Sequence, residues 1–112
     1  IITKEKNEIV KKWTSKMNVD KLFQGVKKKE ILLPKLCNLY NLKEENIAYI
    51  GDDVNDLEIM KKVGFSVTPK DGNIEIKKIA NHISKINGGE GVLRDVCDLL
   101  ISTKFGIKKK LY

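Results

Sequence analysis

Short apolar runs alternate along this chain with longer segments whose apolar residues recur at the spacing of an amphipathic helix. The predicted strands cover residues 1–2, 22–23, 46–50, 65–67 and 82–83. The predicted helices cover residues 5–17, 30–40, 54–62, 74–79 and 92–102. Strands and helices that alternate at this interval favour a parallel α/β sheet with helices on both faces.

Each long helix is predicted to place one apolar face against that sheet. The residues expected on these faces are Ile9, Val10, Trp13 and Met17, then Ile31, Leu32, Leu36 and Leu39, and finally Val92, Val96, Leu99 and Leu100. Pro34 falls in the first turn of the second helix, where its missing N–H group does no harm.

Polar residues that follow the strands should meet at one edge, because such sheets bind ligands at the carboxyl ends of their strands. These residues are Thr3, Gln24-Gly25 and the acidic segment Gly51–Asp53. The Thr3 hydroxyl could donate to a phosphate oxygen, although an N-cap role is as good an interpretation. Lys29, at the start of the next helix, could bind the same anion, although alone it resembles any solvated lysine.

Three carboxylates stand within five residues, at Asp52, Asp53 and Asp56. Like charges this close repel unless a cation or a proton shares the site, and oxygen ligands of this kind suit Mg²⁺. Gly51 would leave room for the ion and its substrate. The alternative is helix capping by Asp53 and Asp56, which leaves Asp52 unexplained.

Composition narrows the candidate functions. The net charge of +7 comes almost entirely from lysines spread through every segment, with Arg94 as the only arginine. Nucleic-acid readout favours arginine and aromatic side chains, so the pattern argues against it. No apolar run approaches the length of a membrane helix. Cys37 and Cys97 resemble small buried hydrophobes of a reducing compartment, and the single His82 indicates packing rather than metal binding.

The two ends of the sequence suggest how the domain is bounded. Ile1-Ile2-Thr3 is apolar and β-branched with no initiator Met, as in a chain cut inside a strand. We expect residues 1–103 to form part of one domain and residues 104–112 to form a basic tail. Near the C-terminus, three glycines surround Glu90 and precede Arg94, which could be a plain helix entry or a clamp for a carboxylate or phosphate.

With these motifs assembled, the chain resembles the haloacid dehalogenase superfamily. Thr3, Lys29 and the segment Gly51–Asp56 match its second, third and fourth motifs. The stretches 23–25, 49–56, 62–67 and 88–97 resemble a cap-less branch of the superfamily. That branch includes 3-deoxy-manno-octulosonate 8-phosphate phosphatases, N-acylneuraminate 9-phosphate phosphatases and a module fused to some N-acylneuraminate cytidylyltransferases.

The resemblance implies a three-layer αβα Rossmann-like fold, a parallel sheet without its N-terminal strand, a Mg²⁺ cofactor and cytoplasmic location. Asp52 would bind Mg²⁺ directly, with Asp53 and Asp56 supporting it. Thr3 and Lys29 would hold the phosphoryl group, and the other residues near the substrate would be Gly51, Asn55 and Arg94. The substrate would be a phosphorylated sugar acid, and Arg94 with the glycine segment would reach toward a neighbouring subunit in a homotetramer.

The sequence also departs from the family pattern. The first motif, Asp-x-Asp, carries the nucleophile and the general acid, and it should lie upstream of Ile1. The family's Thr-Gly-Arg is replaced by Thr3-Lys4-Glu5, and Lys28 precedes Lys29 where Asp or Asn is usual. Two functions therefore stay open: a phosphatase seen without its nucleophile segment, and a non-catalytic module that assembles a cytidylyltransferase.

Overall fold

A computed structural model describes residues 1–4 and 6–105, which form a parallel α/β fold as the sequence pattern predicts. The helices are α1 (Glu8–Lys16), α2 (Leu32–Tyr40), α3 (Leu57–Lys62), α4 (Ile74–Ile79) and α5 (Val92–Phe105). The strands are β1 (Ala48–Ile50), β2 (Phe65–Thr68) and β3 (His82–Ile83). Single 3₁₀ turns at Lys29–Ile31, Glu44–Asn46 and Val54–Asp56 precede α2, β1 and α3. Helix α5 crosses the boundary predicted at residue 103, and residues 106–112 of the predicted tail lie outside the described residues.

The sheet is parallel, in the order β1-β2-β3. The predicted strands at 1–2 and 22–23 are reduced to one parallel bridge between Ile2 and Phe23. A cleft of about 490 Å³ separates this bridge from β1 and is lined mainly by apolar side chains, among them Ile2, Phe23 and Ile50. We call it the strand cleft, because it lies between two extended segments, the Ile2–Phe23 bridge and β1.

Two apolar clusters lie on opposite faces of the sheet, since successive strand residues point to opposite sides. Tyr49 of β1 packs against the larger cluster, which α2, α3 and α4 supply. Its neighbour Ile50 packs with Val67 of β2 against Val92 and Val96 of α5. The arrangement is therefore helix, sheet, helix. No helix within residues 1–4 and 6–105 is long and apolar enough to cross a membrane.

The predicted inward face of α2 is correct only in part, because Leu32 and Leu36 are half-buried but the other two predicted residues are not. Ile31 and Leu39 are 67% and 51% exposed, whereas Leu33 is 1% exposed. The reason lies at the start of the helix, where the tighter 3₁₀ turn Lys29–Ile31 brings Lys29 inward. Residues four and seven positions further on share a face in a helix, so Leu33 and Leu36 follow Lys29 into the interior.

Two other predicted faces also need correction. Ile9 and Met17 of the first predicted helix are exposed, so these two residues do not face inward as predicted, and the side chains of Val10 and Trp13 lie outside the described part of the structure. On α5, Val92 and Val96 are buried as predicted, but Leu100 is on the exposed side. Both cysteines are free but only half-buried, so they are less buried than the sequence predicts, and the His82 ring stacks on Phe65 with centroids 6.5 Å apart.

Candidate functional site

A buried ion pair forms the floor of a pocket at the carboxyl edge of the sheet. Lys29 Nζ lies 2.8 Å from Asp56 Oδ1, and the two residues are 8% and 3% exposed. The Tyr49 hydroxyl donates to the same oxygen at 2.6 Å. A buried charge is tolerated when it is paired and hydrogen-bonded, and this floor meets both conditions.

The other oxygen of Asp56 fixes the loop above the floor. Asp56 Oδ2 accepts the backbone N–H groups of Asp52 at 3.1 Å and Asp53 at 3.2 Å. With Lys29 and Tyr49, the carboxylate has four donors, which fills its acceptor sites. Burial acts to raise the pKa of Asp56, but the Lys29 and Tyr49 hydrogen bonds, the Lys29 charge and the Asp53 N–H together hold the pKa below its usual value.

Gly51 is required by this packing. A Cβ atom at residue 51 would lie 2.6 Å from Asp56 Cβ and 2.8 Å from Met60 Sδ. The sequence suggested that Gly51 leaves room for an ion and a substrate. The geometry gives a different reason, because the space beside Gly51 is occupied by the side chains of Asp56 and Met60.

The three acidic residues have different environments. Asp53 accepts the Val54 N–H at 2.7 Å, and with Asp56 it forms a capping box over the Val54–Asp56 turn. Capping therefore does account for Asp53 and Asp56, as the alternative interpretation held. Asp52 is exposed and takes no part in the cap. It lines a pocket of about 290 Å³ together with Lys29, Gly51 and Asp56.

The other three residues expected at the site are Thr3, Asn55 and Arg94. Thr3 follows the Ile2 bridge, and its backbone pairs with Phe23 and Val26. Asn55 is half-buried, and its Oδ1 is buried without a hydrogen-bond partner within the described part of the chain. Arg94 is exposed on the first turn of α5. None of these three side chains is among those that line the 290 Å³ pocket where the structure describes it.

Sequence reasoning missed the contribution of three residues to this pocket. Tyr49 was assigned only to a buried strand, although a tyrosine at such a position needs a partner for its hydroxyl group, and this requirement could have pointed to Asp56. Gly88 and Gly89 form part of the pocket wall. The sequence could not indicate this, because the wall depends on how the loop after β3 folds back over the sheet.

The donor set suits a magnesium ion only in part. In the described ranges, 1–4 and 6–105, no group of three His, Cys, Asp or Glu side chains is arranged to hold a metal. Mg²⁺ in phosphoryl-transfer sites usually takes one or two carboxylates and completes its shell with water and phosphate oxygens. Asp52 offers one such carboxylate at the pocket, while Asp56 is already occupied by its four donors.

Comparison with known proteins agrees with this geometry. Residues 1–95 match the family model described as haloacid dehalogenase-like hydrolase. The chain belongs to this family. It is 37% identical over 101 residues to the 3-deoxy-D-manno-octulosonate 8-phosphate phosphatase of Escherichia coli K12, covering 90% of this chain and 54% of that protein.

Solved structures of family members have the same fold. The 3-deoxy-D-manno-octulosonate 8-phosphate phosphatase of Yersinia pestis superposes with a TM-score of 0.89 at 30% identity, over 94% of this chain and 57% of that one. The Moraxella catarrhalis enzyme, crystallised with a magnesium ion, a phosphate ion and a KDO molecule, gives 0.85 at 27% identity, over 91% and 59%. The chain therefore spans about half the length of the family members that it matches.

Proposed function

We propose that this chain supplies the phosphate-binding part of a Mg²⁺-dependent phosphatase that hydrolyses the phosphate monoester of a 3-deoxy-2-keto sugar acid. The observation that carries the proposal is the buried Lys29–Asp56 pair beneath the exposed carboxylate of Asp52. A module that serves only in assembly has no physical need for a lysine buried at the floor of an open pocket. The names of the family members favour 3-deoxy-manno-octulosonate 8-phosphate over N-acylneuraminate 9-phosphate as substrate.

Lys29 would hold the phosphoryl group. A lysine ammonium has three N–H donors, and the described contacts use one of them on Asp56. The remaining donors can bind phosphate oxygens while Asp56 keeps the side chain in place. The Thr3 side chain does not line this pocket where the structure describes it, and its hydroxyl group is assigned to the phosphate cradle on the family resemblance alone. Asp52 would bind Mg²⁺, which when present neutralises charge on the phosphate oxygens.

The nucleophile would come from a segment that inserts into the strand cleft. The cleft is apolar and lies between Ile2 and β1, so a parallel strand placed there would end beside Lys29 and Asp52. An aspartate at that strand end would attack phosphorus, and the sugar would leave as an alcohol with a proton from a neighbouring acid. Water would then cleave the aspartyl phosphate, releasing phosphate and restoring the carboxylate.

Phosphate release tests this proposal. The two sugar-acid phosphates would each be assayed with Mg²⁺ and with a chelator, using this chain and a version joined to an upstream segment of the full protein, called here the extended chain. We expect turnover only by the extended chain with Mg²⁺. Turnover by this chain alone would mean that another carboxylate is the nucleophile, and inactivity of both would favour an assembly module.

Asp52 and Asp53 provide a matched pair of variants. Asp52→Asn removes the proposed ligand, so we expect the Mg²⁺-dependent activity to be lost. Asp53→Asn keeps an oxygen that can accept the Val54 N–H, so its activity should stay near that of the unmodified protein. Equal losses in the two variants would contradict the assignment of Asp52 as the metal ligand.

A further inference from the structure

Three loops meet above the carboxyl ends of the strands, and the middle loop joins the other two. They follow β1 (51–53), β2 (69–73) and β3 (84–91). From the middle loop, the Asn73 N–H donates to Asp52 O at 2.9 Å, and the Lys70 N–H donates to Ile86 O at 2.9 Å. The loop that carries Asp52 and the loop after β3 are thus connected through residues 69–73.

The connection to the pocket wall uses one side chain. Asp71 Oδ1 accepts the Gly88 N–H at 2.7 Å, across 17 positions of sequence. Gly88 and Gly89 then line the pocket on which Lys29 and Asp52 also lie. This contact has no part in the proposed phosphate chemistry, which is assigned to Lys29 and Asp52.

The wall would be loose without this contact. Gly89 and Gly91 have φ angles of +81° and +101°, and a Cβ atom added at either would meet nothing within 4 Å. Glycine has the largest freedom of any residue to lose on ordering, so a segment built in this way does not hold its own position. The Glu90 N–H bonds only within the loop, to Asn87 O at 3.1 Å.

We propose that Asp71 is a positioning residue that holds Gly88 and Gly89 as the wall facing the sugar part of the substrate, and so contributes to substrate choice. The inference rests on the proposed function, because the phosphate is assigned to Lys29 and Asp52. The rest of the substrate must then extend from the phosphate along the remaining lining of the pocket. That lining includes the two glycines and Pro69, which lies against Gly88.

The test compares three variants of the extended chain. Asp71→Ala removes the acceptor, whereas Asp71→Asn keeps an acceptor oxygen at the same place without the charge. Glu58→Ala serves as a control, because Glu58 is an exposed carboxylate whose described partner is Lys61 on the same helix. Each variant would be assayed with the sugar-acid phosphate and with a small phosphate monoester that has no sugar.

For Asp71→Ala, we expect KM for the sugar-acid phosphate to rise about tenfold while kcat changes less than about twofold. KM for the small ester should not change, because the phosphate cradle is untouched. In Asp71→Asn and in Glu58→Ala, KM for the sugar-acid phosphate should equal that of the unmodified protein. An equal rise in KM for both substrates would overturn the proposal, as would failure of Asp71→Asn to restore binding.

Backbone amide exchange keeps the test independent of activity. Exchange in the segment around Gly88–Gly91 should accelerate about tenfold in Asp71→Ala and stay unchanged in Asp71→Asn. If no version of the protein releases phosphate, the proposed function fails, and exchange still decides whether Asp71 holds the loop. If Asp71→Ala does not fold, Asp71→Glu replaces it, since the longer side chain misplaces the acceptor. Unchanged exchange in the variant that folds would overturn the proposal.

Discussion

The floor and the rim of the pocket use the same kind of side chain in opposite ways. On the floor, Asp56 is 3% exposed and each of its oxygens accepts two hydrogen bonds. On the rim, four residues earlier in the chain, Asp52 is exposed and contributes its backbone to the cluster. The comparison shows that the two carboxylates differ in burial and hydrogen bonding because of where the fold places them. One is held for structure, and the other is free to bind a ligand.

The largest loss of stability is expected when the buried Lys29–Asp56 pair on the pocket floor is broken. Asp56→Ala leaves the Lys29 charge buried without its partner, which typically costs about 3–5 kcal/mol. Urea unfolding of the extended chain would measure the loss. Glu75→Ala is the matched control, because Glu75 pairs with Lys78 at 3.1 Å on the surface, where such pairs contribute less than about 1 kcal/mol. Equal losses would mean that the floor is no stronger than a surface pair.

Lowering the pH should remove the contribution of Asp56 to the free energy of unfolding. The pKa of Asp56 is lower in the folded protein than its ordinary value of 3.8, so its stabilisation is present above that value and is lost as the pH falls through the folded pKa. The difference in free energy of unfolding between Asp56→Asn and the unmodified protein should therefore shrink as the pH falls below 3.8. Measurements in chelator would check this, and a constant difference would assign the acid sensitivity to other groups.

Removing one donor from the floor should have a smaller effect. Tyr49→Phe deletes the hydroxyl that donates to Asp56, a hydrogen bond to a charged group that contributes about 1.5–3 kcal/mol. Tyr40→Phe is the control, because Tyr40 also donates to an aspartate, Asp20, but on the exposed surface. Unfolding should show a clear loss for Tyr49 and a smaller one for Tyr40. Equal losses would indicate that burial does not strengthen the Tyr49 contact.

The smallest change in stability is expected on the rim. Asp52→Asn keeps the backbone N–H that Asp56 accepts and changes only an exposed side chain, so the unfolding midpoint should not move. The same variant should lose its response to Mg²⁺, which calorimetric titration can measure without substrate. A large loss of stability would show that Asp52 belongs to the floor.

The sequence predicts the order of elements well because apolar spacing reports secondary structure directly. The bounds of α4 and β3 agree with the prediction, and the acidic motif directly follows β1 as predicted. The inward face of α2 was predicted only in part, because a 3₁₀ turn before the helix brings Leu33 inward and leaves Ile31 exposed, and spacing within the helix does not reveal that turn.

The contacts of the site were harder to predict than its location. Tyr49 and Asp56 meet because a strand end and a helix start fold onto each other, and Asp71 meets Gly88 across two different loops. Such contacts depend on tertiary geometry, which a local pattern does not specify. Lys29 shows the same point, since as one lysine among many it resembled solvated surface, and only the fold buries it.

The close packing around Asp56 has a consequence for how this protein can vary. Lys29 and Tyr49 both donate to Asp56, and Gly51 leaves the space that the Asp56 side chain occupies, so the four residues meet in one packed cluster although they are spread over 28 positions of sequence. Residues that share one network do not change independently in their energetic effects. A substitution at one of the four positions is therefore neutral only on a background where its neighbours have already changed, so the quartet behaves as a single epistatic unit.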